Sequence, residues 1–440
     1  MNIYIETLGC PKNFNDSQVA AGILEHAGHR IAAAPEEADA ILVNTCGFIE
    51  DAKTESIDRI FEMARYEDKL LIVSGCLSQR YGEELYREMP EVDIFIGVNE
   101  YARLPEILAA HEAGQREKYL SPYTKELETS LRRLSDNPYS ATLKIAEGCD
   151  NRCTYCAIPA IRGPYRSRPA DAVLAEAQRL AAAGTRELIL IAQDTTAWGI
   201  DLYGEFRLHE LLRRLCRIDG IHWIRLLYCY EDRITDDLIE TMTTEPKICR
   251  YLDIPLQHGS DRILAAMHRR STRAGIEATI GRLRRAIPDL HIRTTLITGF
   301  PGETEEDFSA LMEMVETQRF ERLGVFAYSA EEGTPAASLP QQVPQEVREQ
   351  RRDAIMRAQV EISLAHNRRQ IGRRLEVLLE EQEEDGSWQG RTAYDAPEID
   401  CAVTVLPVRD HRPGDFAAVR ILDAFDYDLM GKEEYNESAE

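Results

Sequence analysis

No run of about 18 consecutive apolar residues, the least a membrane-crossing helix needs, occurs in the 440-residue chain. The N-terminus MNIYIETLGC lacks the basic-then-apolar layout of a secretory leader. Both absences lead to the expectation of a soluble, cytoplasmic protein. Cysteine is sparse, with ten residues at positions 10, 46, 76, 149, 153, 156, 216, 229, 249 and 401. That is too few for a disulfide scaffold, so any cysteine cluster points to metal or redox chemistry. Positive charge is also short. With 52 Lys and Arg against 76 Asp and Glu the net charge is −24, which argues against a surface that grips nucleic acid throughout. At this length about three domains fit, each able to bury a core without staples.

The charge is unevenly spread. Residues 1–139 carry −11, 140–300 carry +3, 301–371 carry −5, and 372–440 carry −11 from 7 basic and 18 acidic side chains. Such an acidic last segment is either a solvated tail or a docking face for a basic partner.

Short apolar, β-rich runs at 2–7, 40–44, 69–74 and 92–96 alternate with helical patterns at 16–27, 50–64 and 82–88. The alternation predicts a doubly wound parallel sheet. Cys10, Cys46 and Cys76 each follow one of the first three strands within three residues, beside Gly9, Gly47 and Gly75. Loops after parallel strands open on one edge of the sheet, so the three cysteines are expected in one crevice. Three thiolates with an open position suit an iron–sulfur cluster or a catalytic zinc, and spacing does not choose between them.

A polar stretch follows, then a second series of strands at 141–145, 187–191, 223–227, 250–254, 292–297 and 322–326, with helical patterns such as 170–183 and 304–317. Six repeats are too few for a closed eight-stranded barrel and predict an open, partial (β/α)6 barrel of the TIM type, with ligand groups at the C-terminal strand ends. Right after its first strand lies GCDNRCTYC, which spaces Cys149, Cys153 and Cys156 as C-x3-C-x2-C. No second ligand pair follows at zinc-finger spacing, and ferredoxin-type clusters use four cysteines. Three thiolates in one loop hold a cubane cluster by three irons and leave the fourth open to a small molecule. Beyond residue 370, short runs at 374–379, 388–392, 402–406 and 417–421 with intervening turn signals predict a small β-barrel, reached by a helical strut at 345–370. The expected division is 1–112, a linker 113–137, 138–343, a helical connector 344–371, and 372–440.

The GCDNRCTYC loop, with the aromatic Tyr155 before its last cysteine, resembles that of the radical S-adenosylmethionine (SAM) enzymes. The N-terminal triad and the C-terminal barrel, of the TRAM type, narrow the resemblance to the radical SAM methylthiotransferases, across essentially the whole chain. ETLGCPKN (6–13), GCDNRCTYCAIP (148–159), PLQHGSD (255–261), GFPGET (299–304) and DAPEID (395–400) look like the RimO-like branch, which modifies an aspartate of ribosomal protein S-twelve. Cys401 departs from that pattern, which commonly has glycine there. A MiaB-like branch modifies adenosine in tRNA and shares the cluster chemistry. A basic ribosomal protein suits the acidic last segment, whereas tRNA phosphates are repelled by it.

The resemblance implies two 4Fe-4S clusters and SAM as cofactors. The cluster on Cys149, Cys153 and Cys156 would bind SAM and release a 5′-deoxyadenosyl radical, and the one on Cys10, Cys46 and Cys76 would carry the sulfur. A radical is needed because the substrate carbon, the β-carbon of an aspartate, carries no acidic hydrogen. It also implies a reductant such as flavodoxin or ferredoxin. Gln193 and Asp194 sit where superfamily members hold the SAM amino or ribose groups, Arg225 suits its carboxylate, and the turn at Gly299 suits adenine. Gln257 and His258 face the same mouth, as ligand groups or as structural hydrogen bonds. Cys216, Cys229 and Cys249 read as core. A non-catalytic electron carrier is the third reading, opposed by two three-cysteine sites. Because both triads lie upstream, removing residues 372–440 is expected to spare SAM cleavage.

Overall fold

The computed structural model describes residues 1–112, 114–123, 131–134 and 139–434. Its first sheet has six parallel strands in the order Arg30–Ile31, Asn2–Thr7, Ala40–Thr45, Leu70–Gly75, Ile94–Ile96 and Glu117–Tyr119. Ala40–Thr45 is buried along its whole length, as a central parallel strand covered on both faces must be. One face packs on Val19, Ile23 and Leu24 with Leu104 and Ile107, the other on Ile60, Met63, Leu77 and Leu85. The sheet is thus doubly wound, as expected.

Three local expectations change. Helix Pro11–His26 begins five residues before the apolar pattern, because Pro11 suits a first helical turn and buried Asn13, Asn15 and Asp16 interrupt the period. The next but one helix, Cys76–Glu88, starts directly at its cysteine. The stretch read as a polar linker is partly built in: Glu117–Tyr119 is the sheet's edge strand, and Arg132 bonds Gln18 at 2.9 Å and Glu176 at 3.1 Å.

The second sheet runs Ser140–Lys144, Glu187–Ile191, Trp223–Leu226, Ile248–Asp253, His291–Thr298 and Arg322–Ala327, all parallel and in chain order. It is the open partial barrel. Helix Gln345–Arg368 leads from it to a closed barrel of Arg374–Gln382, Trp388–Thr392, Val403–Leu406, Leu429–Glu433 and Phe416–Ala424. The sequence pattern misses the strand Leu429–Glu433 because its inward positions are Leu429, Gly431 and Glu433, with a single large apolar side chain.

The small barrel does not hang free. Its Arg391 and the central sheet's Arg225 clasp Glu187 from two sides, with Arg225 Nε at 2.9 Å and Arg391 Nη1 at 3.0 Å from Oε1. Arg322 meets Asp395 at 2.7 Å, and Tyr251 donates to Asp400 at 2.6 Å. Leu378 and Ala396 pack among Ile189, Trp223, Leu227 and Tyr251. Removing residues 372–440 would take Arg391 from Glu187 and Asp395 from Arg322, so a deletion expected to abolish product and spare SAM cleavage is also expected to lower stability.

Candidate active site

Cys10 caps helix Pro11–His26, Cys46 follows strand Ala40–Thr45, and Cys76 opens helix Cys76–Glu88. The three loops touch. A Cβ on Gly9 would lie 2.8 Å from Cys46 Cβ, and one on Gly47 would lie 2.6 Å from Leu77 Cα, so only glycine admits these approaches. Asn13 ties them together, donating to Leu8 O at 2.9 Å and Thr45 O at 3.0 Å while its Oδ1 faces Cys76 Sγ at 3.6 Å. Gly75 has φ +97°, and a Cβ there would stand 2.4 Å from Asn44 Oδ1 and Thr45 O. Gly75→Ala is expected to destabilise the protein by more than about 1 kcal/mol and to displace Cys76. Chemical denaturation and the iron retained by the N-terminal triad measure both effects.

The second triad lies in the loop before helix Ile158–Arg162. Thr154 pins the loop through its amide to Met267 O at 3.1 Å and its hydroxyl to Ala266 O at 2.9 Å. Asn151 donates to Cys149 Sγ at 3.4 Å and to Asp194 at 2.9 Å, and Arg233 holds Asn151 Oδ1 at 2.7 Å. Tyr230 OH stands 3.9 Å from Cys153 Sγ, with the Arg269 guanidinium 4.3 Å from the centre of its ring. Arg152, Tyr228 and Gln257, in the loop and beyond the ends of neighbouring strands, have positive φ, a backbone strain typical of functional sites. Cys153 and Cys156 line a cavity of about 860 Å³.

The triads meet at one seam. Cys76 packs with Ala157 and Ile161, just after Cys156. Arg162 donates to Cys76 Sγ at 3.4 Å, Asn13 Oδ1 at 2.9 Å, Asp16 at 2.8 Å and Glu147 at 3.2 Å, and Lys144 reaches Glu147 at 2.8 Å. All six cysteines are free thiols. Burial pushes Cys46 and Cys156 up to about 12 and Cys149 up to about 11, and it raises Cys76 against the pull of Arg162. Thiols held neutral this way become thiolates when a metal takes the proton's place. Among the described residues no three His, Cys, Asp or Glu side chains are grouped to hold a single metal ion. Three thiols in each triad are a donor set that an iron–sulfur cluster takes.

Three family models match the chain: "Uncharacterized protein family UPF0004" over residues 2–97, "Radical SAM superfamily" over 143–315 and "TRAM domain" over 371–433. A ribosomal protein uS12 methylthiotransferase RimO of Desulforamulus reducens is 49% identical, over 98% of this chain and 99% of that protein. The RimO protein of Geobacter sulfurreducens is 50% identical, over 97% of each. This chain belongs to the RimO family. Among solved structures, the radical SAM methyltransferase TsrM from Kitasatospora setae, with cobalamin and a 4Fe-4S cluster bound, has a TM-score of 0.57. It is 15% identical, over 76% of this chain and 77% of that one. The cobalamin-dependent SAM radical enzyme OxsB has a TM-score of 0.53 at 13% identity, over 82% of this chain and 56% of that one. Both likenesses concern the fold.

Around this RimO-family centre, the other expected SAM contacts divide. Gln193 donates to Glu147 at 2.6 Å while its buried Oε1 has no partner, which leaves an acceptor for a ligand amino or hydroxyl group. Tyr155 packs beside Phe300, Tyr328 and Met267. Gln257 lies at the strand ends, bridged through its backbone to Leu296. Asp194 is consumed by Asn151, Thr196, the Ala197 amide and Arg233, so it props the cysteine loop. His258 is held by Glu303 at 3.2 Å and the Ser260 amide at 3.0 Å, the structural alternative.

With Asp194, two further expectations are corrected. Arg225 spends its donors on Glu187, Ala393 O and Thr392 O at the junction with the small barrel. At Gly299 the close neighbour is Arg348, 2.1 Å from where a Cβ would be, and the amides of Gly299 and Phe300 go to Glu303. Cys216 and Cys229 are core as expected, and Cys249 packs under the junction. Sequence reasoning did not single out Arg162, Tyr230, Arg269 or Lys12. Only Lys12 stood inside a quoted motif.

Proposed function

We propose that this chain adds a methylthio group to the β-carbon of an aspartate in ribosomal protein uS12, in the cytoplasm, with electrons from a reductant such as flavodoxin or ferredoxin. The observation that carries the reading is the seam where Cys76 of one triad packs against Ala157 and Ile161, the residues that follow Cys156 of the other. Two 4Fe-4S clusters, on Cys10, Cys46 and Cys76 and on Cys149, Cys153 and Cys156, together with SAM, supply when bound a 5′-deoxyadenosyl radical and a transferable methylthio sulfur. The protein's own groups hold and tune that centre. Asn151 and Arg162 donate to one sulfur of each triad, which stabilises charge on it. Gln193 Oε1 offers SAM an acceptor, and Tyr155 offers it an apolar wall. The working units are residues 1–112, 138–343 and 372–440, joined by 113–137 and 344–371.

Substrate choice follows from the small barrel. Asp423 and Asp426 are exposed beside exposed Leu422, Phe425 and Tyr427, a surface suited to a basic, partly apolar partner and unsuited to a polyanion. Offered uS12 and unmodified tRNA in parallel with SAM and reductant, the protein is expected to modify uS12 alone. Mass spectrometry would show one hydrogen of an aspartate replaced by a methylthio group. Asp423→Lys with Asp426→Lys is expected to slow association with uS12 by about tenfold at low salt and to flatten its salt dependence. Modification of tRNA adenosine with uS12 untouched would overturn the reading.

A further inference from the structure

Among the described residues, one buried cation at the seam, Lys12, has no carboxylate partner. The other buried cations there are paired: Lys144 with Asp16 and Glu147, Arg162 with the same two, Arg233 with Asp194, and Arg269 with Glu231. Lys12 is 8% exposed, and among the described residues it forms no ion pair. Its ammonium stands 3.2 Å from the centre of the Tyr228 ring. That contact repays part of the desolvation of a buried ammonium but supplies no counter-charge. Its place is also particular. Lys12 is two residues from Cys10, its charge acts on Cys156 of the other triad, and Tyr228 senses both Lys12 and Cys10.

Hydrogen abstraction and sulfur delivery start from different triads, so the reacting carbon must come between them. Its own carboxylate, one bond away, then enters the same buried space and needs a cation that no carboxylate already holds. We propose that Lys12 binds the carboxylate of the substrate aspartate and turns its β-carbon toward the gap between the triads. The inference rests on the reading of the substrate as a uS12 aspartate. Thiolate charge of the bound clusters is the competing partner for Lys12, so the test reads substrate preference.

Full-length protein with both clusters reconstituted is given uS12 with its target aspartate, or with asparagine in that place. The wild type is expected to prefer aspartate by roughly 10- to 100-fold in kcat/KM, the worth of one charge-assisted hydrogen bond. Lys12→Met is expected to lose that preference to within about threefold, mainly by slowing the aspartate reaction. Its iron content reports independently that the cradles stand. A preference that survives in Lys12→Met overturns the inference alone, even if the KM for SAM rises. Should Lys12→Met lose iron, the neutral but polar Lys12→Gln is judged by the same ratio. Iron loss in both variants assigns Lys12 to the cradle and overturns the inference. Failure of the wild type to modify either uS12 form sinks the function reading itself.

Discussion

Cys153→Ala is expected to reduce reductive SAM cleavage to background, whereas Cys46→Ala is expected to cleave SAM and form no methylthio product. The difference follows from where the triads sit. Cys149, Cys153 and Cys156 occupy one loop that follows the first barrel strand, and Cys153 and Cys156 open onto a cavity of about 860 Å³. Cys10, Cys46 and Cys76 belong to another sheet and meet that loop only across the seam. Each triad is built by its own helix starts and glycine turns, so each is expected to load iron by itself. Reconstituted wild type should carry about eight irons per chain, and a Cys149, Cys153, Cys156 triple alanine variant about four. Anaerobic iron analysis and chromatography of 5′-deoxyadenosine check the pair. Equal SAM cleavage by Cys153→Ala and Cys46→Ala would show that the open iron has been assigned to the wrong triad.

Glu187→Ala is expected to lower stability by about 3–5 kcal/mol, more than any other single change at the junction with the small barrel. Glu187 is fully buried between Arg225 and Arg391, and without it Arg225 would lose its carboxylate partner and Arg391 would keep only Glu380. Burial by itself raises the Glu187 carboxyl, yet Arg391 and then Arg225 outweigh it and bring it from 4.5 down to about 2. A carboxylate depressed in the folded state stabilises fully above its unfolded value and loses that contribution as pH falls through the folded one. Between pH 4.5 and about 2 the wild type should therefore lose stability along a slope that Glu187→Gln lacks. Urea titrations across that range measure both slopes, and equal slopes would remove Glu187 from the account. Because Trp223 lies at this junction, its fluorescence reports directly on separation of the small barrel.

The alternation of short apolar strands with helices was enough to predict both parallel sheets, since a strand covered on both faces must be a nearly unbroken apolar run, as Ala40–Thr45 and Glu187–Ile191 are. Strands without that need escaped. Arg30–Ile31 and Glu117–Tyr119 are edge strands of two and three residues, too short to carry a period. The convergence of Cys10, Cys46 and Cys76 was legible because chain direction in a parallel sheet puts every strand's following loop on one edge.

Height and partner were a different matter. Arg225 was assigned to the correct strand but not to the correct end of its chemistry. It lies opposite Ile189, and its guanidinium is taken up by Glu187, the first residue of the neighbouring strand, and by the backbone of Ala393 and Thr392. Asp194 shows the same limit, since its neighbours Asn151 and Arg233 come from segments 43 and 39 residues away. By itself the sequence determined the two parallel sheets, the positions of the two triads along the chain and the chemistry that three thiolates with an open site imply. These depend on local period, turn residues and chain direction. Only the tertiary structure decided which charged side chains were already paired and which, like Lys12, were left facing the seam. Pairing depends on distances between segments remote in the chain, and no local pattern encodes them.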